Sequence, residues 1–160
     1  MTPAPLPPLI VAPNVGDSAL PIRHAAAVVV HDVAGRVFLA QRSQRVTEFR
    51  GVWSFPSASA DSAQAALDSL IEGLRDWFGW TPERWQLCAR RLALRPAWRL
   101  EMSLYTASVA APPQLLAPKY DQVRWTDPAK VIAAVGDGAG DCMLAFKDYV
   151  ERSAVMPAQR

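Results

Sequence analysis

Residues 51–80, GVWSFPSASADSAQAALDSLIEGLRDWFGW, constrain the fold more than any other stretch of the chain. The segment opens on a short extended piece, Trp53 to Pro56, crosses a loop of small residues and enters a helix. Asp61 or Ser62 offers a side-chain oxygen to the unpaired amides of the first helical turn. Ala66, Leu67, Leu70, Ile71, Leu74, Trp77 and Phe78 then recur at helical spacing, and Gly79 stops the run. The pattern predicts a helix over 62–78. Its apolar stripe needs a sheet or another helix to cover it.

The remaining segments supply that sheet. Residues 23–31 (RHAAAVVVH) are apolar and rich in β-branched side chains, and Asp32-Val33-Ala34-Gly35 is a turn signal. Residues 36–42 read as the returning strand, and 84–94 and 98–109 as two further strands that turn at Pro96. Gln122 to Trp125 is a short strand. Asp127-Pro128 opens a helix over 128–134, with proline at its first turn. Gly136, Gly138 and Gly140 form a loop, and Asp141 caps a last helix over 141–152. The order predicts an α/β (α+β) domain, with a mixed sheet sandwiched between helices, over 21–152. Five prolines make 1–20 a tail on which Leu9, Ile10 and Val11 can still dock, and 153–160 is a second tail.

Composition excludes several partners. A chain of 160 residues, half of them apolar, builds one core. A net charge of +2 with no basic block argues against nucleic acid. No run is long enough to span a bilayer, and no basic flank precedes an apolar signal segment. Cys88 and Cys142 form no CxxC pair, so no structural zinc site is implied, and a reducing cytoplasm is the expected compartment. Arginines outnumber lysines 14 to 3. The guanidinium fork suits phosphate, although a GC-rich coding sequence gives the same excess.

The strand–loop–helix frame, with W-x-F-P ahead of a helix closing on glycine, resembles the core of the Nudix superfamily. Aligned on Gly79, the positions of that family's box fall on Ala58, Gln64, Glu72, Gly73, Leu74, Asp76 and Trp77. Magnesium needs near-octahedral oxygen ligands, so the box presents carboxylates along one helix face. Only Asp76 is a carboxylate among the positions that bind metal. Gly73 and Trp77 stand at the others, and Glu72 replaces an arginine.

A closer resemblance is to type I isopentenyl-diphosphate isomerase. It rests on His24-Ala25-Ala26, on Gln41-Arg42, on Phe49-Arg50-Gly51-Val52-Trp53, and on the order of elements over 120–152. The resemblance implies that His24 is a metal ligand, Glu101 a metal and proton-handling group, and Arg42 a diphosphate ligand. The family's catalytic cysteine falls near Ala58, and its Cys-Gly-His-Pro stretch is Ala58-Ser59-Ala60-Asp61 here.

These readings define a candidate site. Asp76 and Glu101 are the candidate acid and base, and burial of Asp76 among apolar groups would raise its pKa. An exposed helix carboxylate and a polar strand face are the alternatives. Cys142 follows Asp141 at a helix start, where its thiol pKa would fall, unless it is simply packed. Arg42, Arg45 and Arg50 are candidate diphosphate ligands. Trp53, Trp77 and Trp98 are candidate aromatic walls, for which plain core packing is the alternative. His24 and Asp76 are the candidate ligands for a metal, which would be magnesium. The expected function is capture of a small organic, isoprenoid-type diphosphate, with acid/base or carbocation chemistry that needs no metal. The alternatives are a magnesium-dependent pyrophosphohydrolase with displaced ligands Asp61, Glu72 and Asp76, and a non-catalytic binding module.

Overall fold

Strand β2, Ile22–His31, is the spine of the sheet. Its residues 25–30 are buried without interruption, so both faces of the strand are covered, as a continuous apolar run requires. The computed structural model describes residues 6–13, 15–16, 18–46, 49–116, 118–135 and 140–155. Among these, the elements are β1 (Leu9–Val11), β2, β3 (Val37–Arg42), β4 (Trp53–Ser54), β5 (Ser57–Ala60), α1 (Ala63–Phe78), β6 (Glu83–Leu94), β7 (Arg99–Ser108) and β8 (Tyr120–Thr126). A 3-10 turn (Pro128–Lys130), α2 (Val131–Val135) and α3 (Asp141–Val155) complete the chain.

The strands form one mixed sheet in the order β1-β6-β7-β2-β3-β4, with β5 paired to β2 and β8 to β3. β7 runs parallel to β2 over its full length, from Ile22 opposite Arg99 to His31 opposite Ser108. The other long edge of β2 is divided. β3 pairs with it only at His31 and Val37, while β5 takes His24 to Ala27.

α1 lies on one face. Ser62 caps it by accepting from the Ala65 amide, and Gly79 ends it at φ 70°, returning its amide to the Arg75 and Leu74 carbonyls. Leu70, Leu74 and Phe78 pack against Ala26, Val28, Val30, Phe38 and Trp80. Each such buried side chain contributes about 1.5–3 kcal/mol. On the other face, Met143 and Phe146 of α3 and Val131 and Val135 of α2 close over Ala25, Ala27, Val29 and Leu104. The sandwich expected from sequence is therefore present, and each strand expected over 23–125 forms.

Three expectations change. Leu9–Val11, placed in the tail, forms β1 by pairing in parallel with Arg90–Leu92. Residues 57–60, read as loop, are β5, because Ser57 to Ala60 find free pairing partners on β2. The helix expected over 128–134 divides into a 3-10 turn and a short α2. Gly136 and Gly138 of the expected glycine loop, and the last five residues of the expected C-terminal tail, lie outside the described residues. No helix among the described residues is long and apolar enough to cross a membrane.

Candidate functional site

A cleft of about 570 Å³ opens on the α3 side of the sheet. That volume suits a small organic ligand. The divided edge of β2 creates it. Ala25 on β2, Leu100 and Met102 on β7, and Ser57 and Ser59 on β5 line it, as do Arg42 at the end of β3 and Cys142 at the start of α3. The turn between β6 and β7 adds Arg95 and Trp98, and the segment before β4 adds Phe49 and Val52. Phe49 holds a left-handed backbone at φ 54°, a strain of order 1 kcal/mol.

Four cations line this cleft: Arg23, Arg42, Arg95 and Lys119. The single carboxylate among the lining residues, Asp141, is buried and paired with Arg95. Arg23 lies over the Trp98 ring at 5.7 Å. Lys119 is the least ordinary of the four. Its ammonium donates to the Ser57 carbonyl at 2.6 Å and stands 3.9 Å from the centroid of the Trp77 ring. Burial, helped by the Arg42 charge, pulls its pKa down to about 7.

The sequence candidates divide around this cleft. Arg42 and Trp98 line it. Cys142 lines it too, but burial pushes its thiol up to about 12, opposite to the lowering expected at a helix start. The loss of hydration outweighs the helix terminus because the side chain is only 5% exposed. Glu101 faces the other way. Strand alternation puts Leu100 and Met102 into the cleft and Glu101 on the opposite face, where its carboxylate lies 3.5 Å from His24 Nδ1. That is an ion-pair distance, and it makes no hydrogen bond.

The remaining candidates sit elsewhere. Asp76 is exposed on α1, so the burial that would make it a tuned acid is missing. Arg45 lies in a separate shallow pocket with Asp121, and Arg50 is exposed outside the cleft lining. Trp53 stacks under Arg124 at 4.2 Å and packs on the α3-side core. Trp77 packs on the α1-side core, edge-on to Tyr120 at 5.5 Å, and reaches the site only through Lys119.

These side chains do not fit a divalent metal. Gly73 has no side-chain ligand atom, and the Trp77 ring folds back over it so closely that a methyl on Gly73 would collide with the ring. Asp61, Glu72 and Asp76, the displaced ligands of the hydrolase reading, are each exposed. Among the described residues no three His, Cys, Asp or Glu side chains converge on one point.

Sequence reading missed Lys119, Arg23, Arg95 and Phe49. Lys119 carried a signal, since it is one of three lysines and lies between proline-rich chain and a strand. Arg23 carried another, lying two residues before Ala25 on the same strand face.

No protein-family model matches the sequence, and no curated protein sequence does. Solved structures do match its fold. The MutT protein from Methanosarcina mazei Go1 superposes with a TM-score of 0.65 at 14% identity, over 84% of this chain and 94% of that one. The NUDIX domain of Shewanella oneidensis NrtR, complexed with ADP ribose, gives 0.62 at 19% identity, over 85% and 90%. A C. elegans Ap4A hydrolase in a binary complex gives 0.59 at 17% identity, over 82% and 98%. The chain therefore has the Nudix fold.

Proposed function

We propose that the cleft binds a small organic diphosphate whose organic part is isoprenoid. The observation that carries this reading is the convergence of Arg23, Arg42, Arg95 and Lys119 on one cavity that is otherwise largely apolar. Guanidinium and ammonium groups bind phosphate oxygens by charge-assisted hydrogen bonds, which strengthen in a desolvated cleft. Phe49, Val52, Leu100, Met102 and Trp98 offer an alkyl chain surface, while the uncharged hydrogen-bonding side chains of the lining are three serines and the Trp98 indole.

The chemistry this arrangement favours is departure of the diphosphate. The leaving group takes both electrons of its C–O bond, and the cations stabilise the charge that collects on it. The Trp98 face stabilises the positive carbon fragment until water captures it and loses a proton to solvent, which leaves an alcohol and pyrophosphate. Asp76 and Glu101 have no place in this step, since neither lines the cleft. The test is calorimetric titration with isoprenoid diphosphates, followed by assay of released pyrophosphate. Tight binding of an isoprenoid diphosphate, weakened by Arg42→Ala, supports the reading. Failure of every isoprenoid diphosphate to bind sinks it.

One observation favours a second reading. The neighbours of this fold include a domain complexed with ADP ribose and an Ap4A hydrolase. A nucleoside diphosphate would place its base on Trp98. Preference for ADP ribose over isoprenoid diphosphates in the same titration would select it.

A further inference from the structure

The positions at which the resemblance puts metal ligands come together with Lys119 at one place. Gly73 and Trp77 lie one turn apart on α1, and the absence of a side chain at Gly73 leaves room for the indole. The π-face of that indole is negative, and the Lys119 ammonium occupies it at 3.9 Å. The Tyr120 ring, 5.6 Å from the same ammonium, adds a second aromatic neighbour. One N–H of Lys119 goes to the Ser57 carbonyl, and its other N–H groups have no hydrogen-bond partner among the described residues. No carboxylate among the described residues pairs with it. The group thus combines a charge, unused donors and an address in the cleft beside Arg42.

We propose that Lys119, seated on Trp77, supplies the positive charge that a divalent cation supplies in a carboxylate-built diphosphate site. Phosphate capture then depends on Lys119 and not on magnesium. The exchange is self-consistent. Replacing carboxylates by glycine and tryptophan removes the negative charge that would hold a metal. It creates a π-face that holds an ammonium in the metal's stead. For an organic ligand the inference rests on the diphosphate reading above, whereas for phosphate itself it stands alone.

The experiment is calorimetry with two probes, inorganic pyrophosphate and geranyl diphosphate, each in EDTA and in magnesium. The proteins are the parent, Lys119→Met, Lys119→Arg and Trp77→Leu, each checked for folding by circular dichroism. The parent is expected to bind pyrophosphate in EDTA, with no gain from magnesium. Lys119→Met is expected to weaken binding by roughly tenfold or more, the scale of one charge-assisted hydrogen bond. Lys119→Arg retains most of the affinity, and Trp77→Leu loses part of it. Binding that requires magnesium, or binding undiminished in Lys119→Met, overturns the inference. Should a variant fail to fold, the magnesium dependence of the parent still decides.

The two readings separate cleanly. Pyrophosphate captured through Lys119, with no capture of geranyl diphosphate, leaves the inference standing and removes the isoprenoid ligand. Geranyl diphosphate bound equally by Lys119→Met removes the inference and leaves the ligand. Failure of the parent to bind either probe overturns both.

Discussion

The Lys119 ammonium lies against the face of Trp77, 3.9 Å from the ring centroid, at the helix turn where the Nudix resemblance calls for metal-binding carboxylates. Burial lowers the pKa of this lysine to about 7 from its ordinary 10.5. Keeping this ammonium charged inside the fold therefore costs stability.

That cost has a sign that can be measured. Below pH 7 Lys119 is charged in both the folded and unfolded chain, so the cost of burying its charge is fully present. Between about pH 7 and 10.5 the folded protein releases the proton and the unfolded chain keeps it. Stability therefore rises with pH in this window, by at most about 1.4 kcal/mol per pH unit from this group. Chemical denaturation at pH 7 and pH 9 should show the rise in the parent and a flatter profile in Lys119→Met. Equal slopes in the two proteins would show that Lys119 holds an ordinary proton.

Gly73 and Trp77 should couple. Gly73→Ala in the parent brings a methyl against the indole, and overpacking of this kind costs about 1–3 kcal/mol. Alanine also favours a helix over glycine by roughly 0.8–1 kcal/mol, so the net loss is expected near 1 kcal/mol. In a Trp77→Leu background the collision is absent and the same substitution should stabilise by several tenths of a kcal/mol. A change of sign between the two backgrounds, read by thermal or urea denaturation, is the expected result. The same sign in both would mean that the ring does not lie over Gly73.

Much of this fold was legible because its signals are local. Ser62, Gly79 and the apolar spacing between them fix α1, and the β-branched run of β2 marks a strand buried on both faces. The cleft was harder to read, because it is assembled from strand faces that only three-dimensional pairing selects. Alternation separated Glu101 from Leu100 and Met102 in the sequence, yet nothing local said which set faces the cavity. Asp76 and Lys119 show the same limit. The helix pattern locates Asp76 without revealing its exposure, and Lys119 acquires its character from Trp77, 42 residues earlier in the chain.

Asp141 and Arg95 should separate stability from ligand affinity. The Asp141 carboxylate is 5% exposed and its partner Arg95 lines the cleft. Asp141→Ala removes the pair and leaves a partly buried guanidinium uncompensated, at a cost of about 1–3 kcal/mol in unfolding free energy. The same change frees Arg95 to meet an anion. Melting temperature should fall while affinity for pyrophosphate holds or improves. A parallel loss of both would make Asp141 a part of the binding surface.

The two cysteines should be unreactive in the native protein. Burial pushes both Cys88 and Cys142 up to about 12, and the thiolate is the reacting form. Ellman's reagent at pH 8 is expected to modify neither within minutes, and both at once in guanidinium. Fast native labelling of Cys142 would restore it as a candidate nucleophile in the cleft.

The proton on Lys119 should also appear in the ligand's binding. A diphosphate favours the charged amine, so capture raises the lysine pKa and draws a proton from solvent at pH values near and above 7. The other ionisable groups around the ammonium stay silent there. Tyr120 and Cys142 are both raised to about 12, and a guanidinium keeps its proton throughout this range. Affinity is therefore expected to fall as pH climbs from 7 to 9. Below about pH 6 the terminal phosphate starts to take up its own proton, so affinity weakens on that side too. Calorimetry in buffers of different ionisation enthalpy should register proton uptake of up to one per ligand in the parent at pH 8. In Lys119→Arg, whose guanidinium does not titrate, the uptake should vanish while binding persists. Proton uptake of the same size in Lys119→Arg would assign the titration to another group and remove Lys119 from the binding step.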